Sequence, residues 1–141
     1  MAKGKVLVAG TFDFLHPGHI DFFCQARRRG NCLIVVVSRD SNALMIKGKK
    51  PYFSQKERLA LVASIGIVDK AVLGDNKDFF AAVRKEKPDA IVLGYDQWAV
   101  EKKIREALDR AGFARTKVYR AKANYPEKYK SSKIRKHFES I

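Results

Sequence analysis

The chain has 141 residues, 46% of them apolar, which suits one domain with one core and argues against disorder. Its 29 lysines and arginines face 15 acidic residues, and the formal net charge of +14 favours anionic partners: nucleic acid, membrane headgroups or phosphorylated small molecules. No apolar run approaches the ~20 residues that span a bilayer, and no zinc finger, basic zipper or RNA-recognition motif accompanies the charge. The basic residues are spread along the chain, at Arg27–Arg29, Lys47–Lys50, Lys102–Lys103 and Lys128–Lys136, so charge by itself does not choose among these partners.

The opening MAKGKVLVAG has a basic start and a short apolar run but no A-x-A-like cleavage site. Lys5 to Gly10 therefore reads as a first strand rather than a signal peptide, and a cytoplasmic protein is expected. Pro17 suits the first turn of a helix, which continues through Ile20, Phe23 and Cys24 and stops at Gly30. Cys32 to Val37 is apolar on both faces, as in a parallel strand covered on both sides. Ser54 and Glu57 form a capping box for a helix carrying Leu59, Val62 and Ile65. Ala71 to Gly74 is a short strand. Asp78 is a candidate cap for a helix through Phe79, Phe80 and Val83 that ends before Pro88. Ala90 to Gly94 is a buried strand, a helix runs from about Val100 to Ala111, Lys117 to Ala121 is the last strand, and a final helix begins near Ser131. The two cysteines, Cys24 and Cys32, form no C-x-x-C pair and are expected as free, buried thiols.

Strands and helices alternate without repeats or linkers. This predicts a single domain over residues 1–141 with an α/β fold: a three-layer sandwich around a Rossmann-like, mostly parallel, five-stranded sheet. Ligands of such sheets lie beyond the carboxyl ends of the strands, near the point where strand order reverses. The turn after the first strand, GTFDFLHPGH, holds two of the three histidines, His16 and His19. Three residues apart at a helix start, their rings can meet one ligand, and the helix N-terminus suits phosphate. Gly18 lets such a ligand approach the backbone. A pair that only satisfies the turn is the structural alternative. Zinc needs further ligands, for which the sequence offers no obvious source. Neither a P-loop nor the Rossmann glycine fingerprint is present.

GTFDFLHPGH resembles the G-T-F-D-x-x-H-x-G-H motif of the nucleotidyltransferase superfamily, in its cytidylyltransferase-like branch. SSKIR, Ser131 to Arg135, is similar to a second motif of the same enzymes, and the element order between the two also fits. The resemblance implies an HxGH nucleotidyltransferase that releases pyrophosphate, with a divalent cation, Mg²⁺ in most members, and a homodimer. It implies that His16 and His19 bind the triphosphate and stabilise the transition state, with Thr11, Phe12, Pro17 and Gly18 lining the nucleotide. Ser131 and Ser132 would hold its phosphates; a plain helix cap is the other reading of Ser131. KGKKPYFSQKER, Lys47 to Arg58, resembles the family's basic segment followed by an arginine-bearing helix. This makes Lys47 and Arg58 catalytic candidates and puts Lys49, with Asp13, on the acceptor side; solvated surface is the alternative for Lys49.

Two branches fit. One is glycerol-3-phosphate cytidylyltransferase, with CTP; the other is the archaeal-type FAD synthase, with ATP and FMN. Gly94-Tyr95-Asp96-Gln97 looks like the G-[PY]-D-Q of the second, where Asp96 would meet the nucleotide; a helix cap is its alternative role. The arginine and threonine that the cytidylyltransferases carry before the last helix are replaced by Tyr125 and Pro126. Tyr125 can stack on a purine or pack on the final helix. The expected substrates are therefore ATP and FMN, with no nucleic acid and no membrane partner.

Overall fold

A computed structural model describes residues 4–78, 80–97 and 99–123, together with Lys136, His137 and Glu139. The apolar runs form five strands: β1 (Lys5–Gly10), β2 (Cys32–Val37), β3 (Lys70–Leu73), β4 (Ala90–Leu93) and β5 (Lys117–Arg120). All pair in parallel, in the order β3-β2-β1-β4-β5. Between them run α1 (Pro17–Arg27), α2 (Asp40–Lys47), α3 (Gln55–Ala63), α4 (Ala81–Glu86) and α5 (Glu101–Arg110).

The two-residue period of the strands sorts the core into two layers. Val6 and Val8 of β1, Leu33, Val35 and Val37 of β2 and Val92 of β4 pack with Phe23 and Ala26 of α1 and Val62 of α3. Leu7, Val36, Ile91 and Leu93 point the other way, onto Val83 of α4 and Ile104 and Leu108 of α5. Both faces of the sheet are thus covered, as the continuous apolarity of β2 required. The three-layer α/β architecture expected from sequence is the one found, with a sheet that is parallel throughout.

Two local expectations change. The helix expected from Asp78 starts at Ala81, because the Asp78 carboxylate instead accepts the Phe80 N–H at 2.9 Å and holds a turn ahead of it. Helix α2 has no counterpart among the elements expected from sequence. The final helix expected from Ser131 lies outside the described residues except for Lys136, His137 and Glu139, which are helical and exposed. Cys24 and Cys32 are free and half-buried rather than buried. No helix among the described residues is long and apolar enough to cross a membrane.

At the amino ends of the strands, Glu86 is 5% exposed and receives Lys70 Nζ at 2.6 Å, with Lys5 Nζ at 3.8 Å. This ties α4 to β3 and β1 at the end of the sheet opposite the strand-end turns.

Candidate active site

Strand order reverses between β1 and β4: the chain moves outward from β1 to β3 on one side, then returns to place β4 on the other. The paired register of β1 with β4 covers Val6–Ala90 and Leu7–Ile91. Beyond it, the Gln97 side chain bridges the two strands. Its Oε1 accepts the Gly94 N–H at 2.7 Å and its Nε2 donates to Ala9 O at 2.6 Å. Arg120 of β5 braces the same turn by donating to the carbonyls of Gly94, at 2.7 Å, and Gln97, at 2.9 Å. Asp96 is exposed on that turn.

On the β1 side the chain leaves Gly10 through a strained turn. Phe12 has a φ of 54°, a left-handed conformation that bulky side chains seldom adopt. Its ring folds back over Gly10, where an added Cβ would sit 2.7 Å from Phe12 Cζ. The ring then meets His19 edge-on at 5.6 Å and Phe23 at 5.2 Å. Phe12 is buried, so this ring sets the position of His19 rather than facing solvent.

His16 and His19 form a capping box at the start of α1. Nδ1 of His16 accepts the Gly18 N–H at 3.1 Å, and Nδ1 of His19 accepts the His16 N–H at 3.2 Å. A nitrogen that accepts carries no proton, so these bonds put the ring proton of each neutral imidazole on Nε2. The ring centroids are 3.9 Å apart. Burial lowers the pKa of His16. Burial, then the nearby His16 and the charge of Lys47, push His19 down to about 3. At neutral pH the pair is therefore two uncharged Nε2–H donors at a helix N-terminus. That arrangement is able to bind anionic oxygen without first bringing two cations together.

Lys47 ends α2, and its charge reaches His19. Lys47 and Lys49 are exposed, Thr11 and Gly18 are partly buried, and Pro17 occupies the first position of α1. The structure thus gathers Thr11, Phe12, His16, Pro17, Gly18, His19 and Lys47 around one turn.

Two candidates take different roles from those expected. Arg58 is fully buried. Its guanidinium donates to Thr11 O at 2.8 Å, Ser38 O at 2.8 Å, Phe53 O at 3.0 Å and Asp40 Oδ1 at 2.7 Å. It fastens the ends of β1 and β2 to α2 and α3. Burial alone would raise the Asp40 carboxyl. Hydrogen bonds from Arg58 and the Gln55 backbone, with the charges of Arg58 and Lys50, outweigh it and hold that carboxyl below its usual value. Asp13 is likewise buried, and its two oxygens accept the N–H groups of Tyr52 at 2.8 Å and Phe53 at 2.9 Å. It anchors Tyr52 and Phe53 to the histidine turn. Tyr125, Ser131 and Ser132 lie outside the described residues.

Sequence reasoning gave Gln97 no role of its own and passed over Asp40. The bonds of Gln97 to Ala9 and of Asp40 to Arg58 join residues distant in the chain, so neither link shows in a local pattern. The signal that Arg58 is buried was present: it precedes the buried Val62 by four residues, on the apolar stripe of α3.

A parallel sheet with a histidine-capped helix beside its switch point defines a nucleotide-handling α/β protein. The chain belongs to the cytidylyltransferase-like family, whose model matches residues 7–137. It is 47% identical over 108 residues to an FAD synthase from Methanosarcina barkeri, covering 77% of this chain and 76% of that one. It is 43% identical over 129 residues to an FAD synthase from Archaeoglobus profundus, covering 91% and 81% of the two. The crystal structure of the lipopolysaccharide core biosynthesis protein from Thermoplasma volcanium GSS1 matches with a TM-score of 0.82 at 38% identity, covering 85% of this chain and 97% of that one.

Three outcomes follow from this geometry. Asparagine keeps an N-cap acceptor but lacks the Nε2–H. His16→Asn is therefore expected to leave the denaturant midpoint nearly unchanged and to lower turnover by roughly 10²–10³, the scale for loss of one transition-state donor. The unfolded chain takes up a proton at His19 near 6.5, whereas the folded chain does so only at about 3. Folding stability should thus fall as pH drops from 6.5 toward 3, and His19→Gln should flatten that slope in urea titrations. Arg58→Met leaves the half-buried Asp40 carboxylate and three carbonyls without their donor, and calorimetry should show a loss of about 2–3 kcal/mol, the scale for polar groups stripped of their partners.

Proposed function

We propose that this protein is an FAD synthase, transferring the AMP moiety of ATP to FMN with release of pyrophosphate. The observation that carries the reading is the neutral His16–His19 pair at the switch point, in a chain 43–47% identical to the two archaeal FAD synthases described above.

In the proposed reaction a phosphate oxygen of FMN attacks the α-phosphorus of ATP. The bond from that phosphorus to the bridging oxygen breaks, and its electron pair leaves with pyrophosphate. No covalent enzyme intermediate is required, so the protein's task is positioning and charge stabilisation. His16 and His19 donate from Nε2 to oxygens on which charge builds during transfer. The backbone of the Thr11–Phe12 turn and the start of α1 at Pro17 and Gly18 face the same phosphates. Lys47 adds a mobile positive charge, with Lys49 on the acceptor side. Asp96, on the turn after β4, is assigned to the nucleoside, and Tyr125, Ser131 and Ser132 are assigned to the base and the outer phosphates.

Among the described residues no group of three or more His, Cys, Asp or Glu side chains is placed to hold a metal ion. The described residues therefore form no protein cage for the divalent cation, which in this reading arrives on the triphosphate. A homodimer in the cytoplasm belongs to the same proposal and is supported by the family resemblance.

The test supplies the protein with Mg²⁺ and either ATP plus FMN or CTP plus glycerol 3-phosphate, and separates the products by chromatography. FAD and pyrophosphate from the first mixture are expected. CDP-glycerol from the second mixture, with no FAD from the first, overturns the reading.

A further inference from the structure

The segment between β2 and α3 exposes apolar surface that the fold does not use. Of α2, Ala43 is buried, while Leu44, Met45 and Ile46 are exposed, Met45 by 75%. The helix ends at Gly48, whose φ of 73° turns the chain, and Lys49, Lys50 and Pro51 lead to Tyr52, which is 74% exposed. Tyr52 is nonetheless held in place. Its ring stacks on Phe14 with centroids 5.7 Å apart and planes inclined by 26°. Phe53 closes against both rings, at 5.7 Å from Phe14 and 5.1 Å from Tyr52. The Asp13 carboxylate fixes the backbone beneath, through the N–H groups of Tyr52 and Phe53. Phe14 belongs to the same turn as His16, so this aromatic platform is rigidly continuous with the histidine pair.

An ordered aromatic ring with most of its surface in water, beside exposed methionine and leucine, marks a binding surface. Lys47, Lys49 and Lys50, all exposed, precede Tyr52 in the chain, and this combination suits an occupant that is flat, apolar and anionic at one end. A second copy of this chain, with its net charge of +14, would bring a further basic surface to this basic rim, which charge complementarity disfavours. Tyr52 and Phe53 follow β2 and α2 in the chain and the Gly94–Gln97 turn assigned to the nucleoside follows β4, and β2 and β4 flank β1 on opposite sides. We infer that the Phe14–Tyr52 platform and the exposed turn of α2 hold the ring system of the phosphorylated acceptor, with the lysines toward its phosphate. On the function proposed above, on which this inference rests, that ring is the isoalloxazine of FMN. The two substrates then approach the histidines from opposite flanks, which suits an in-line displacement.

The experiment compares the wild-type chain with Tyr52→Ala and Tyr52→Phe in steady-state FAD formation, with ATP and FMN varied separately. It adds FMN fluorescence titrations without ATP and sedimentation of each protein. Tyr52→Ala should raise the KM for FMN about tenfold, within the range seen for loss of a base-stacking aromatic, leave the KM for ATP unchanged and weaken the fluorescence quenching. Tyr52→Phe, which keeps the ring, should restore all three. Wild-type FAD formation with an unaltered KM for FMN in Tyr52→Ala overturns the platform and leaves the proposed function standing. A raised KM for ATP alone transfers the platform to adenine, and a change of oligomeric mass transfers it to a second copy; either result overturns the inference. Absence of FAD from the wild-type chain overturns the function and the platform together.

Discussion

A single buried charge organises the site. Arg58 lies with no exposed surface, and a guanidinium without water must have its donors met by protein. The groups that meet them are carbonyls at Thr11, Ser38 and Phe53 and the carboxylate of Asp40. Each is at or just beyond the end of an element: β1, β2, the approach to α3 and the start of α2. A planar fork with fixed donor directions thus sets the relative positions of four chain segments, which a flexible lysine would not do. The histidine turn, the basic end of α2 and the aromatic pair all hang from these segments. Asp13 repeats the device on a smaller scale, with a carboxylate gathering two N–H groups.

The consequence for chemistry is that the protein separates its charges by role. The chain as a whole is strongly basic, yet the groups nearest the proposed reaction are neutral imidazoles, kept so by burial and by the bonds that cap α1. In the proposed reaction, long-range positive potential would draw the anionic substrates, and short-range uncharged donors would meet the developing charge. Lys47 stands between these roles: it is exposed, and its charge helps keep His19 unprotonated.

Much of this was legible in the chain. Strands β1 and β2 matched their sequence boundaries because both are covered on two faces, so that apolarity alone marks them. The capping box of Ser54 and Glu57 was found as written, with each side chain bonded to the other's backbone. The histidine pair was visible because its spacing is local. Helix α2 was not, since its apolar residues are consecutive and mostly exposed, Arg39 provides no side-chain cap, and no amphipathic period results. The burial of Arg58 was signalled by its spacing from Val62, that of Asp13 by nothing local, and the partners of neither could be read from the chain. Their partners lie at Thr11, Ser38 and Asp40 for one and at Tyr52 and Phe53 for the other, and only the folded chain brings these together.

Gln97 carries a broader implication. Where β1 and β4 stop pairing, one side-chain amide replaces the rungs that a backbone ladder would supply, offering an acceptor to one strand and a donor to the other. The turn beyond β4 is thus held to β1 by a side chain rather than by the backbone ladder, and Arg120 grips that turn from β5, so its position depends on two polar side chains as well as on the apolar layers beneath.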